Sequence, residues 1–308
     1  MNTVAAILKT ALPVFTALFL GMLCRSRGFL TRDGVDGLKW TVLNLCLPFV
    51  LFHAFSTAEY SPAALLIPGT VFVLCCIILG LGLLVVKVFT LGGRVSGFLA
   101  SGFEAGMLGY ALFALLFPDV SISRFALPDL GQTLFVFTVY KILISGKKDV
   151  RSIVRDMVTS PILWAVLLGV LTGATRLYTR LHAVGVGSIL DSLTDFLSAP
   201  TGMIILLTVG YDLVLRQIPW KKTLGLVAMR LCTAGVFGGL LILLNRTLLR
   251  GMIFEGAVLL LAILPPPYVL PVFADEPNER VQICSALSAL TVMTILLFAV
   301  MSVLIGLS

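Results

Sequence analysis

The chain has 308 residues, 59% hydrophobic and only 12% charged, with a formal net charge of +7 and a mean hydropathy of +1.08. Soluble domains carry about 25% charged and about 45–50% apolar residues, so no water-soluble fold of this length hides the surplus apolar surface. The basic residues sit in short loops between apolar runs rather than in a stripe with interleaved aromatics, which excludes nucleic acid as the partner.

A helix needs about 20 mostly apolar residues to cross the hydrocarbon core. Ten segments qualify: 3–24, 38–56, 64–89, 97–117, 127–144, 158–178, 189–211, 222–244, 254–273 and 281–305. They predict an all-α membrane protein of ten transmembrane helices. The run 3–24 lacks a basic leader and is too long for a signal-peptide core, so it reads as a retained span. The cysteines (Cys24, Cys46, Cys75, Cys76, Cys232, Cys284) lie in or beside apolar runs without metal or secreted-scaffold spacing, and read as small core residues.

Cytoplasmic loops collect Lys and Arg. The odd loops carry Arg25, Arg27, Arg32, Lys39, Lys87, Arg94, Lys141, Lys147, Lys148, Arg151, Arg155, Arg216, Lys221, Lys222 and Arg280; the even loops carry Arg124, Arg176, Arg180, Arg246 and Arg250. This bias predicts a multi-pass protein of the cell membrane with both termini on the extracytoplasmic side.

Five spans per half would make the two halves antiparallel. Two proline-anchored matches support such a repeat. Pro13-Val-Phe-Thr-Ala17-Leu-Phe-Leu20-Gly21 aligns with Pro161-Ile-Leu-Trp-Ala165-Val-Leu-Leu168-Gly169, and Leu45-Cys-Leu-Pro48 with Leu197-Ser-Ala-Pro200. The expected organisation is an inverted 5+5 repeat over residues 1–150 and 151–308.

An ionisable group at membrane depth costs at least ~2.5–3.5 kcal/mol, so each needs a reason. Glu104 lies mid-segment in the run from Gly102 to Tyr110, among Ala105, Gly106 and Gly109, glycines that loosen a helix and admit another backbone. Burial there favours its neutral form, which suits a proton carrier or a substrate contact; a structural acid bonded to a neighbouring helix is the plainer reading. Arg230 lies eight residues past Lys222, about 12 Å deep at 1.5 Å per residue. It can pair with Glu104, hold a substrate carboxylate through its planar fork, or snorkel to the interface. Pro265, Pro266 and Pro267, followed by Tyr268, break the ninth segment near its centre. Irregular backbone at that depth survives only inside protein or beside a water-filled cavity. Breaks at equivalent places in two halves mark a transporter's binding site. Asn44 before Pro48, and Ser198 before Pro200, are further candidates to face that cavity; His53 and His182 sit near loop ends and read as exposed.

Four stretches carry a family resemblance. They are Leu12-Pro13 running on to Arg25-Ser-Arg27-Gly28-Phe29-Leu30, Leu45-Cys-Leu-Pro48-Phe-Val-Leu-Phe52, Gly106-Met-Leu-Gly109, and Leu264-Pro265 onward to Val272-Phe273-Ala274. In order and spacing, over essentially the whole chain, they resemble the auxin efflux carrier (PIN-like) family of secondary transporters in its compact prokaryotic form. The resemblance implies broken helices 4 and 9 crossing mid-membrane. It also implies a dimeric scaffold of helices 1, 2, 6 and 7, and a transport domain of helices 3–5 and 8–10 that shifts like an elevator. Family substrates are mostly organic anions. The family commonly has Asn where this chain has Glu104, and a polar residue, often Asn, where it has Pro266 or Pro267. That departure leaves three readings open: a protonated Glu104, a Glu104–Arg230 pair, or a neutral or cationic substrate.

The sequence thus predicts a secondary carrier of a small organic solute, an organic anion foremost, with Glu104 linking transport to protons. Sodium- or cation-coupled exchange and a non-transporting receptor are the alternatives. No Walker loop, zinc motif or nucleophile elbow argues for an enzyme or an ATP-driven pump, and no cofactor or bound metal is expected, sodium being left open. The expected partners are the small-molecule substrate, the lipid bilayer and a second copy of the chain.

Overall fold

The computed structural model describes residues 2–58, 60–61, 64–145, 155, 158–213, 220–274 and 276–307. Lys147, Lys148, Arg151 and Arg216, which carry part of the charge bias, lie outside them. Among the described residues all regular structure is helical: α1 (Asn2–Arg27), α2 (Arg32–Ser56), α3 (Leu66–Phe89), α4 (Tyr110–Leu116), α5 (Ser123–Ile144), α6 (Pro161–Ala174), α7 (Leu177–Ala183), α8 (Val186–Asp212), α9 (Trp220–Thr247), α10 (Glu255–Ile263) and α11 (Pro277–Leu307).

Among the described residues, α2, α3, α5, α8 and the greater part of α9 and α11 are long and apolar enough to cross a bilayer. The α6–α7 pair, bent by 70°, makes a seventh if taken as one span. The protein is therefore a multi-pass α-helical membrane protein, with fewer continuous spans than the ten segments of the sequence. For two of the segments the cause is local. Segment 97–117 divides into a 3-10 helix Ser96–Ala100, an extended stretch, a π-helical turn Ala105–Gly109 and α4. Segment 254–273 divides into α10, the proline stretch and a 3-10 helix Leu270–Phe273.

Proline shapes the continuous helices too. Pro48 lacks the N–H that a regular turn would donate, and α2 widens into a π turn over Val42–Cys46 just before it. Pro200 separates the two helical parts of α8, Val186–Ser198 and Thr201–Asp212.

Without a hydrophobic drive between helices in lipid, close backbone approach through small residues holds them together. A Cβ on Gly21 of α1 would lie 2.0 Å from the Leu207 carbonyl oxygen of α8, and one on Gly210 2.2 Å from that of Leu18. Gly169 of α6 meets the Phe52 carbonyl and the Phe55 side chain of α2, at 2.9 and 2.8 Å. Gly131 of α5 lies against Pro68 of α3. The outer faces remain apolar and exposed, with Phe19, Ile77, Leu84, Leu171, Phe196 and Leu243 among them. On a soluble protein that surface would be an aggregation liability; here it is what lipid wets.

His182 is exposed near the end of α7, as read, while His53 is half-buried, and both have partners. His53 Nδ1 lies 3.2 Å from the Tyr178 hydroxyl, which in turn bonds Asp191, and His182 Nε2 lies 3.1 Å from Asp191 Oδ2. They tie α2, α7 and α8 together. Two cysteines depart from the core reading: Cys232 and Cys284 are exposed, while Cys46 and Cys75 are buried.

Gly131→Ala would place its methyl carbon 2.1 Å from the Pro68 carbonyl oxygen, with backbone on both sides. We expect a loss of about 1–3 kcal/mol from overpacking, seen as a lower thermal midpoint of the detergent-purified protein. Gly80→Ala, with nothing within 4 Å of its new carbon, should not show that loss.

Candidate functional site

Where a helix stops inside a membrane protein, its last carbonyls have no intrahelical partner, and lipid supplies none. Two such ends meet here. The 3-10 helix Ser96–Ala100 stops at Ser101, and α10 stops at Leu264. Arg230 of α9, only 1% exposed, reaches between them. Its Nη1 donates to the carbonyls of Ala100 at 2.9 Å and Leu99 at 3.4 Å, and its Nη2 to that of Leu264 at 3.0 Å. The guanidinium also lies over the Phe103 ring, 4.6 Å from its centroid. A cation at two helix C-termini is also favoured by the peptide dipoles. Tyr140 donates to the Phe98 carbonyl, Thr233 to Ala100 and Thr294 to Ile263, which completes the capping. At the opposite end of the 3-10 helix, Glu279 of α11 accepts from the Val95 and Ser96 amides at 2.8 and 2.9 Å. The short helix thus has an acid at its N-terminus and a base at its C-terminus.

Beyond the helix ends the two extended stretches bond to each other. The Glu104 amide donates to the Pro265 carbonyl at 2.9 Å, and the Tyr268 amide to Glu104 Oε2 at 2.7 Å. Pro265, Pro266 and Pro267 have no N–H to leave unsatisfied, so Tyr268 offers the first amide after the break, and Glu104 takes it. Gly102 allows the approach: its φ is +76°, and a Cβ there would lie 3.1 Å from the Pro267 ring.

Glu104 lines a cavity of about 950 Å³. Its polar depth holds Glu104, Asp129, Gln132, Thr133, Ser288, Thr291 and the Tyr268 side of the proline stretch, and its walls are apolar, including Leu47, Leu51, Val136, Phe137, Ile162 and Leu287. The exposed end carries Arg32, Lys39, Asp212 and Arg280. There Arg32 Nη1 lies 2.6 Å from Asp212 Oδ1, and Lys39 pairs with the other oxygen of the same carboxylate.

Of the residues singled out by sequence, Glu104, Gly106, Pro267 and Tyr268 line this cavity. Ala105, Gly109, Tyr110, Pro265 and Pro266 are buried around the crossing. Gly109 is packed against Leu264 and Phe125, and a Cβ there would lie 2.8 Å from both. Arg230 neither snorkels nor lines the cavity; its Nη1 and Nη2 donate to backbone carbonyls, and its Nε has no partner among the described residues. Asn44 and Ser198 stand apart: the Asn44 amide donates to the Trp40 carbonyl one turn back, the Ser198 hydroxyl to that of Asp195, and neither lines the cavity. In both places the polar side chain bonds to its own helix beside a proline.

The sequence reading passed over Asp129 and Gln132. The signal was there, an acid and an amide three apart in an apolar run, but segment 5 was read only as a span. Asp129 is 3% exposed and accepts from Tyr110 Oη at 2.9 Å and Gln132 Nε2 at 3.0 Å. The same Nε2 donates to the Phe103 carbonyl at 3.1 Å, tying α5 to the broken stretch.

Replacing Arg230 by Met leaves buried carbonyls at two helix ends short of donors, at roughly 1–3 kcal/mol per group. A clear fall in the thermal midpoint of the purified protein is expected. Arg230→Lys should recover only part of it, since an ammonium cannot span both ends with a planar fork.

No family model matches the chain. Over 222 residues it is 28% identical to a protein of Methanothermobacter thermautotrophicus (strain Delta H) named an uncharacterized transporter, covering 68% of each chain.

Proposed function

We propose that this chain is a secondary active transporter of the auxin efflux carrier (PIN-like) type, moving a small organic solute across the cell membrane by way of the Glu104 cavity. The observation that carries the reading is the junction itself: two broken segments hydrogen-bonded to each other, with an acid in the bond, in the wall of a cavity large enough for a small metabolite. The similarity to a protein named as a transporter agrees with it. A non-transporting receptor has no need of two interrupted segments meeting within a membrane.

On this reading the fold is ten spans in an inverted 5+5 repeat over residues 1–150 and 151–308, with segments 97–117 and 254–273 as its crossing fourth and ninth spans. The matched glycines support it. Under such a repeat the first span corresponds to the sixth and the second to the seventh. Gly21 packs the first span on the seventh, and Gly169 packs the sixth on the second, which are equivalent contacts. Spans 1, 2, 6 and 7 form the scaffold of a homodimer, and spans 3–5 and 8–10 the moving domain. The cavity lies between the two groups, lined by Leu43, Leu47, Leu51, Ile162 and Val209 on one side and by Glu104, Gln132 and Thr291 on the other. Its exposed end carries Arg32, Lys39 and Arg280, residues of the loops whose charge marks the cytoplasmic face, so the conformation is inward-facing with both termini outside.

The solute we propose is an organic carboxylate, drawn in by the basic mouth and moved with a proton on Glu104. Protonation of Glu104 removes the charge that would repel an anion and weakens its grip on the Tyr268 amide, a way to link proton binding to the geometry of the crossing. In proteoliposomes under an imposed pH gradient, Glu104→Gln should abolish the pH dependence of solute flux. Flux with unchanged rate and unchanged pH dependence would remove the proton role.

A further inference from the structure

The wall of the Glu104 cavity holds a second acid that the proton-linked mechanism does not use. Asp129 has both carboxylate oxygens in hydrogen bonds, Oδ2 from Tyr110 Oη and Oδ1 from Gln132 Nε2. Donors to both oxygens favour the ionised carboxylate, and burial opposes it. None of these partners carries a charge, and a buried ionised acid needs a counter-charge.

Gln132 supplies an independent observation. It is 4% exposed, and its Oε1 is buried with no hydrogen-bond partner among the described residues. The orientation of the amide is not arbitrary. Nε2 faces two acceptors, the Phe103 carbonyl and Asp129 Oδ1, so reversing the group would set oxygen against oxygen. Oε1 is therefore an unpaired acceptor, free to take a donor or a cation, three residues along α5 from the Asp129 carboxylate. Both residues, with Thr133, line the same cavity.

We infer that Asp129, Gln132 and Thr133 of α5 form a binding site for one monovalent cation, sodium, in the wall of the Glu104 cavity. The donor set is a carboxylate, an amide oxygen and a hydroxyl, all hard oxygen ligands. One carboxylate among neutral oxygens balances one positive charge, and so compact a set suits a small ion. Gln132 also holds the Phe103 carbonyl in the unwound stretch, next to Glu104, so an ion drawing on Gln132 Oε1 would stiffen the backbone that presents the substrate. The site itself stands on geometry; only its consequence, sodium-dependent solute flux, rests on the carrier reading.

The test is saturable binding of radioactive sodium to the detergent-purified wild-type protein, at fixed pH and ionic strength. Displacement by unlabelled NaCl but not by KCl or choline chloride is expected, with affinity weakened at least ~10-fold in Asp129→Asn and in Gln132→Leu. Absence of saturable sodium binding to the wild type overturns the site, whether or not the variants fold. Unaltered binding in a folded Asp129→Asn overturns the assignment to these residues. Stabilisation by acid alone, with no response to sodium, shows a proton in its place and also overturns it. Sodium binding without any solute flux would leave the site standing and sink the carrier reading; solute flux indifferent to sodium, with no binding, would do the reverse.

Discussion

Everything near the centre of this molecule hangs on one buried cation at the ends of two helices. Arg230 gives hydrogen bonds to the last carbonyls of the 3-10 helix and of α10, and its charge faces the negative ends of both. Without it, each break would expose polar backbone where no water competes to satisfy it. With it, two chain segments far apart in sequence are fixed against each other. The guanidinium suits the task because it is planar, keeps its proton, and offers several donors in fixed directions.

That fixed point sets what the rest can do. Once the helix ends are held, the extended stretches beyond them lie close enough for the Glu104 amide to reach Pro265 and the Tyr268 amide to reach Glu104. A carboxylate that takes part in holding the backbone differs from one that merely projects into water. Whatever changes its charge changes a main-chain contact. The 950 Å³ cavity beside it adjoins a junction that is polar, outside the regular hydrogen bonding of its own helices, and surrounded by apolar packing.

The supporting layers follow the same logic. Glu279 caps the near end of the 3-10 helix from the start of α11, and a Cβ on Gly93 would lie 2.4 Å from that carboxylate. Phe125 and Phe254 pack on Phe113 of α4, with Phe113 stacked on Phe125 at 5.1 Å. Asp129 and Gln132 hold the stretch between from the side. Glu104, Gln132 and Glu279 are thus tied to backbone outside regular helical bonding, which is where a membrane protein has use for polar side chains.

The sequence by itself determined the solvent, the helical class and the two places where helices break. Apolar runs of spanning length, the three prolines and the glycines around Glu104 are local signals, and backbone conformation answers to them directly. It also marked Glu104, because an acid in an apolar run costs energy wherever it goes. Partners were another matter. Arg230 read equally as an ion-pair partner, a substrate clamp or a snorkelling residue; only the tertiary structure set it against carbonyls more than thirty and a hundred residues away. Asn44 and Ser198 read as cavity residues by their place before a proline, yet their side chains turned back to their own helices. Asp129 drew no notice, since its meaning lies in Tyr110, Gln132 and the Phe103 carbonyl gathering around it. A hydrogen bond between distant segments leaves no period or spacing in the chain, and it is those bonds that decide which polar group meets solute and which holds the fold.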